Sequence, residues 1–267
     1  MAALDRLEPL ELAKYCFIAT ICWRLLYEIC LVLSPVVIPK SWETIAKSKT
    51  KGGEKQRYFC SLVVSSTHAS VVALYAFYLA YTTPILTLQT FNDTMEETVI
   101  IGVLMVGYLT HDSIVINQYK KHWDGVFLMT CHHGAAIFAL SWLMYYQYGH
   151  AMIVVTAILE CTTPFINLRW ILDVLDLKSN PIYLLNGGLF ALMWLIFRLI
   201  FFGWAGYKYV WVTLRHDLTT NYPYSHFLVV QTGWLFGYYL QVHWAYFIFK
   251  GLAKALGISG GGDKKKK

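Results

Sequence analysis

Charge is what this sequence has least of. Asp, Glu, Lys and Arg make up 14% of the 267 residues, against about 25% in a soluble domain. A water-soluble globule of this size needs a polar skin, so the scarcity excludes one. Proline is sparse at seven residues and glycine stands at 18, which excludes a collagen-like chain. The six cysteines, at 16, 22, 30, 60, 131 and 161, do not form the dense framework of a small secreted scaffold and are expected as free thiols among helices. No basic stretch precedes the first apolar run; Asp5, Glu8 and Glu11 stand there, so no cleavable signal is expected. There is no G-x-S-x-G turn for a serine hydrolase. No lysine lies inside the last apolar run to carry a retinal Schiff base. No internal repeat and no polar segment long enough for a soluble domain is found. Any chemistry therefore takes place in or at a membrane.

What is present is apolar surface. The chain is 57% hydrophobic and 16% aromatic, with a mean hydropathy of +0.46. Such a composition satisfies its backbone in lipid only as helices, so the expected fold is all-α, a polytopic membrane bundle of about seven transmembrane helices. A span needs about 20 largely apolar residues, and seven stretches qualify: roughly 14–37, 58–81, 98–118, 124–146, 150–172, 182–207 and 225–249. The fifth is the weakest, because it holds Glu160, Pro164, Asn167 and Arg169; a re-entrant segment there would leave six spans.

Lys and Arg placement orients the bundle. Sixteen of the 22 lie on one side, among them Lys40 to Arg57, Lys120, Lys121, Arg169, Lys178, Lys250 and Lys254, and four on the other; Arg24 and Arg198 fall within spans. The bias predicts a cytosolic C-terminus and a lumenal N-terminus. The net charge is +6, of which residues 263–267 supply +3, so the body is only mildly basic and nucleic acid is not an expected partner. Asn92-Asp93-Thr94 is a glycosylation sequon in a loop expected in the lumen. Lys264 and Lys265 stand at the dilysine position for retrieval to the endoplasmic reticulum.

Each ionisable group within a span needs a reason. Arg24 and Glu28, four apart, are expected to pair. His68 stands alone and is expected to bond a backbone carbonyl. Three later spans are richer: His111-Asp112, then Cys131-His132-His133, then Glu160-Cys161-Thr162-Thr163-Pro164 followed by Asn167 and Arg169. Helix rise puts His132 about 13 Å and Glu160 about 15 Å deep from opposite faces, so the two share the midplane. Adjacent helical residues diverge by about 100°, so one of His132 and His133 is expected at a polar centre and the other against a neighbouring helix. Pro164 frees the Glu160 carbonyl, and Thr162 and Thr163 are placed to help satisfy it. A His-His doublet lacks the spacing that puts two imidazoles on one face, so no metal is expected.

These residues carry a resemblance. Lys121-His122-Trp123, Cys131-His132-His133, the run Glu160–Trp170, Asn186-Gly187, Phe197-Arg198, and Leu240-Gln241 through Trp244 resemble the TLC-domain family, which includes ceramide synthases and translocating-chain-associated membrane proteins. The E-x-(S/T)-(S/T)-P-F-x-N-x-R-W run narrows the resemblance to one subgroup. The expected organisation is an N-terminal helix and basic loop over 1–54, the TLC domain over 55–255 and a tail over 256–267. In ceramide synthases the equivalent of His132-His133 belongs to an acyl-transfer site, with an H-D-x-x-D motif on the next helix. Here Leu159, Glu160 and Thr163 take that motif's His, first Asp and second Asp positions.

The resemblance implies an endoplasmic-reticulum protein of lipid homeostasis, with catalysis left open. His132, His133, Glu160 and Asp112 are the expected centre, and Thr162, Thr163, Asn167, Arg169, Arg198 and Gln241 the expected lipid contacts. The expected function is acyl-lipid binding in a bundle cavity; the alternative is a CoA-dependent acyltransferase related to ceramide synthase. No cofactor is expected beyond acyl-CoA as substrate in that alternative. The expected partners are membrane lipids or acyl chains, with homo-oligomerisation left open. A transporter is disfavoured, since no paired broken helices recur in two halves. Replacing Lys264 and Lys265 by Ser is expected to release part of the protein to the Golgi, read by co-staining with organelle markers; an unchanged distribution would reduce the tail to a basic patch.

Overall fold

The computed structural model describes residues 8–49, 54–87, 94–123, 125–217, 223–255 and 257. Asn92, Lys264 and Lys265 lie outside the described residues. Among those described, the regular elements are all helical. They are α1 (Pro9–Val37), α2 (Pro39–Lys47), α3 (Lys55–Thr82), α4 (Glu96–Tyr119), α5 (Val126–Tyr146), α6 (His150–Leu159) and α7 (Thr163–Val174). Then come α8 (Pro181–Met193), the short α9 (Phe202–Ala205) and α10 (Leu214–Asp217), and α11 (Tyr224–Ala255).

Among the described residues, six stretches are long and apolar enough to cross a membrane: α1, α3, α4, α5, the combined 150–174 and the combined 181–216. The expected seventh coincides with α11, which at 32 residues has the length. Its glutamines, His243 and many tyrosines make it less apolar than the other six. Alternation of these helices brings Lys40, Lys47, Lys55, Lys120, Lys121, Lys178 and Lys254 to one end of the bundle, the lysine-rich end.

The outer faces are greasy, as a bilayer requires. On α1, Phe17, Leu25, Val32 and Val36 are all exposed. The Arg24–Glu28 pair forms at 2.5 Å. The basic loop holds a helix that hydropathy does not reveal: α2 buries Ile45 and turns its lysines outward. All six cysteines are free.

The fifth span is a continuous but bent rod. Between α6 and α7, Glu160–Thr162 tightens into a 3-10 turn. Pro164 has no N–H to give to the Glu160 carbonyl, which instead accepts from the Thr163 N–H, while Thr162 Oγ1 donates to Leu159 O at 3.1 Å. The sixth span runs on from 181 to 217 and is wound as π-helix over Trp194–Phe201 and Gly206–Thr213. π-turns are rare and concentrate at functional sites.

Small residues set the closest helix approach. A Cβ on Gly107 would lie 2.5 Å from the Ala19 Cβ and 3.0 Å from the Thr20 amide nitrogen, so α4 meets the α1 backbone there, as small residues permit in membranes. Gly107→Ala is therefore expected to lower stability by about 1–3 kcal/mol, the usual size of overpacking. Gly134→Ala, where no atom lies within 4 Å, is expected to be neutral. Thermal unfolding of both purified variants checks this.

Candidate functional site

The centre of the bundle is a cavity of about 990 Å³ enclosed by α3, α4, α5, the α6–α7 bend, the first π-segment and α11. Its polar groups are not spread evenly. Tyr58, Asp112 and Trp123 border the part toward the lysine-rich end, and His132, His133 and Glu160 border the middle. Leu140, Leu143, Met152, Val229 and Val230 wall most of the opposite part, with Trp142, Thr156 and Thr232 among them. Phe138 on α5, and Phe236 and Phe247 on α11, line the cavity while 54%, 37% and 56% exposed. Exposed side chains of α5 and α11 thus form one wall of the cavity.

One polar cluster ties three elements together. Arg198, on the π-segment, is 6% exposed. Its Nε donates to Thr162 Oγ1 at 2.7 Å, Nη1 to Gln241 Oε1 at 3.2 Å and Nη2 to Thr163 Oγ1 at 3.4 Å. Nη2 also lies 3.5 Å from Glu160 Oε1. Thr163 Oγ1 donates onward to Glu160 Oε2 at 2.7 Å. Trp194, one turn before Arg198, places its ring 4.7 Å from the guanidinium carbon and donates Nε1 to Gln241 O at 3.1 Å. A buried guanidinium is tolerable only when its charge and donors are met in this way.

The second cluster sits on α3, α4 and α5. Asp112 Oδ1 accepts from Ser61 Oγ at 3.1 Å. His133 Nδ1 lies 3.8 Å from Asp112 Oδ2 and 3.4 Å from Ser113 Oγ. His132 meets Trp244 of α11 edge-on, with ring centroids 5.3 Å apart.

The expected residues are thus mostly gathered; Arg169 and His68 depart. His133 faces the Asp112 cluster and His132 the Trp244 ring of the neighbouring α11, and both border the cavity. The partners of Glu160 are Arg198 and Thr163. Arg169 is not among the lining residues; its guanidinium lies over the Tyr183 ring at 4.3 Å and fills the space beside Gly187. His68 bonds no carbonyl: neither ring nitrogen has a partner. Asn167 lines the cavity and donates to Leu62 O and Ser66 Oγ. Thr162 is buried and reaches the cavity only through Arg198. Ser61 and Trp194 were missed by sequence reasoning; the Ser61, Ser65, His68 spacing on α3 is the signal that points to the first.

A helical membrane protein built around an amphipathic internal cavity is the class that this fold and site define. The model of the TLC domain matches residues 58–250, and the chain belongs to that family. Among curated proteins it is 31% identical over 147 residues to TLC domain-containing protein 4 of Xenopus tropicalis, covering 54% of this chain and 56% of that protein. It is 24% identical over 149 residues to TLC domain-containing protein 4-B of Danio rerio (52% and 53%). It is 23% identical over 158 residues to TLC domain-containing protein 4 A of Dictyostelium discoideum (56% of each). The chain thus matches about half the length of these relatives. Their shared name is that of the subgroup to which the Glu160–Trp170 run points.

Breaking the first cluster one-sidedly should be severe. Glu160→Leu leaves Arg198 charged and buried, and is expected to cost about 3–5 kcal/mol. The double variant Glu160→Leu with Arg198→Leu should cost less than the sum of the two single changes. Denaturation of all three in one detergent checks both statements.

Proposed function

We propose that this is an endoplasmic-reticulum membrane protein of lipid homeostasis, which holds an acyl lipid in its cavity without turning it over. The carrying observation is the amphipathy of one cavity: ionisable groups gathered from its middle toward the lysine-rich end, and mostly apolar walls beyond. A lipid diffusing in the membrane would enter between α5 and α11. Its chain would replace lipid contacts with those of Leu143, Met152 and Val230, and its polar group would come to rest near His132, His133 and Glu160. Ligand sites commonly combine mostly apolar walls with a few placed polar groups. The lysine-rich end is assigned to the cytosol by the positive-inside bias, and the Lys264-Lys265 tail supports retrieval to the endoplasmic reticulum.

A CoA-dependent acyltransferase is the second reading. One observation favours it, His133 lying beside the Asp112 carboxylate, the arrangement of a base and its orienting group. Two weigh against it. Glu160 is engaged by Arg198 and Thr163. Leu159 and Thr163 stand where the resembling acyltransferases keep a proton carrier and a second carboxylate. General acid–base assistance is worth about 10²–10⁴-fold, and a centre lacking its partners forfeits much of that.

Lipid should therefore co-purify with the protein and be found unmodified by mass spectrometry. His132→Ala should reduce it while protein abundance holds. Purified protein given a sphingoid base and acyl-CoA should form no ceramide above the His132→Ala background; turnover above that background would establish the acyltransferase instead.

A further inference from the structure

Positions 58, 61, 65 and 68 of α3 carry Tyr, Ser, Ser and His, and all four line the cavity. Steps of three and four keep them on one helical stripe. Ser61 is already engaged by Asp112. His68 is not engaged: it is 1% exposed, and neither ring nitrogen has a hydrogen-bond partner. The ring is also held in place. It stacks on Tyr108 with centroids 3.9 Å apart and planes 12° apart, and Trp23 abuts it edge-on at 5.4 Å. Trp23 is itself anchored through Nε1 to Leu104 O at 3.2 Å. A histidine serving packing alone would donate to a nearby carbonyl, because an unpaired buried polar atom is costly. Here the stacked ring makes no such bond while it stands in the cavity wall.

We propose that His68 is a ligand-binding residue of the cavity, its imidazole hydrogen-bonding an uncharged oxygen of the bound lipid, a hydroxyl or a carbonyl. The inference rests on the lipid-holding reading of the cavity and narrows the lipid's chemistry. The rings against His68, Tyr108 and Trp23, are uncharged. The nearby ionisable groups are already engaged: Glu160 faces Arg198, and Asp112 accepts from Ser61 with His133 beside it. The site thus offers a dipolar hydrogen bond rather than a counter-charge, which suits a glycerol ester, a long-chain alcohol or a hydroxylated chain over a phosphate or ammonium headgroup. Depth supports this. His68 lies at the middle of a 28-residue helix, about 20 Å by helix rise from the Lys55 end, where a bilayer lipid presents only chain. The bound oxygen is one drawn into the membrane interior.

Two photoreactive probes test the proposal in membranes containing the full chain. One is a monoacylglycerol with a diazirine and an alkyne in its chain; the other is the hydrocarbon chain alone with the same two groups. The monoacylglycerol should label cavity-lining peptides of the unaltered protein. His68→Phe keeps the stacked ring and removes both nitrogens, and should cut that labelling about five-fold, the ratio that one hydrogen bond of ordinary net strength gives. His68→Gln restores a donor and an acceptor and should keep most of it. The hydrocarbon probe should label all three forms alike, which also reports an intact bundle. Equal monoacylglycerol labelling of the unaltered protein and His68→Phe would overturn the role of His68 while leaving a lipid cavity standing. Parallel loss of both probes in His68→Phe would overturn it in favour of packing. Failure of either probe to label the cavity of the unaltered protein would remove the lipid-holding reading itself.

Discussion

A guanidinium buried inside a membrane bundle cannot be left unmatched, and the arrangement of the site follows from how Arg198 is matched. Its donors go to Thr162, Thr163 and Gln241, and its charge faces Glu160. These partners come from a bent helix and from α11, so one side chain fixes the relative positions of three elements. The bend itself follows from Pro164, which opens the backbone at the depth where Glu160 must turn inward. The π-winding over Trp194–Phe201 includes both Arg198 and the Trp194 ring that covers it. Once these are set, the space between them and α3, α4 and α5 has a polar middle and a mostly apolar end without further design.

That amphipathy separates holding from chemistry. A catalytic His–carboxylate couple needs the carboxylate free to orient the base. Glu160, the acidic residue at the depth of His132, is spent on Arg198 and Thr163. Asp112 beside His133 keeps an orienting geometry, but it also accepts from Ser61. The balance of these contacts favours a cavity that stabilises a bound polar group over one that transfers it.

The spans were legible because a hydrocarbon environment imposes one rule on every residue of a crossing helix, and that rule survives in hydropathy alone. The bend at Pro164 and the Arg24–Glu28 pair were legible because their causes are local. The identity of the partners was not. Thr162 and Gln241 lie 36 and 43 residues from Arg198, and nothing in the spacing says that Arg198, rather than a histidine, takes Glu160. The run Trp194–Phe201 reads as any apolar helix, so its π-winding carries no sequence signal. His68 was misjudged because a carbonyl bond is the ordinary fate of a buried imidazole; the Tyr108 stack and the ring's place in the cavity wall are tertiary facts.

The account's central claim is that one cavity, with the Arg198–Glu160 cluster on its wall, holds a lipid by a polar group at the bilayer midplane. The most direct measurement is an experimental map of the protein purified into lipid nanodiscs without added ligand. Elongated density is expected in the cavity, its chain between Leu143, Met152 and Val230 and its polar group within hydrogen-bond reach of the His132, His133 and His68 region. A cavity collapsed by side chains, or one filled only by water, would contradict it.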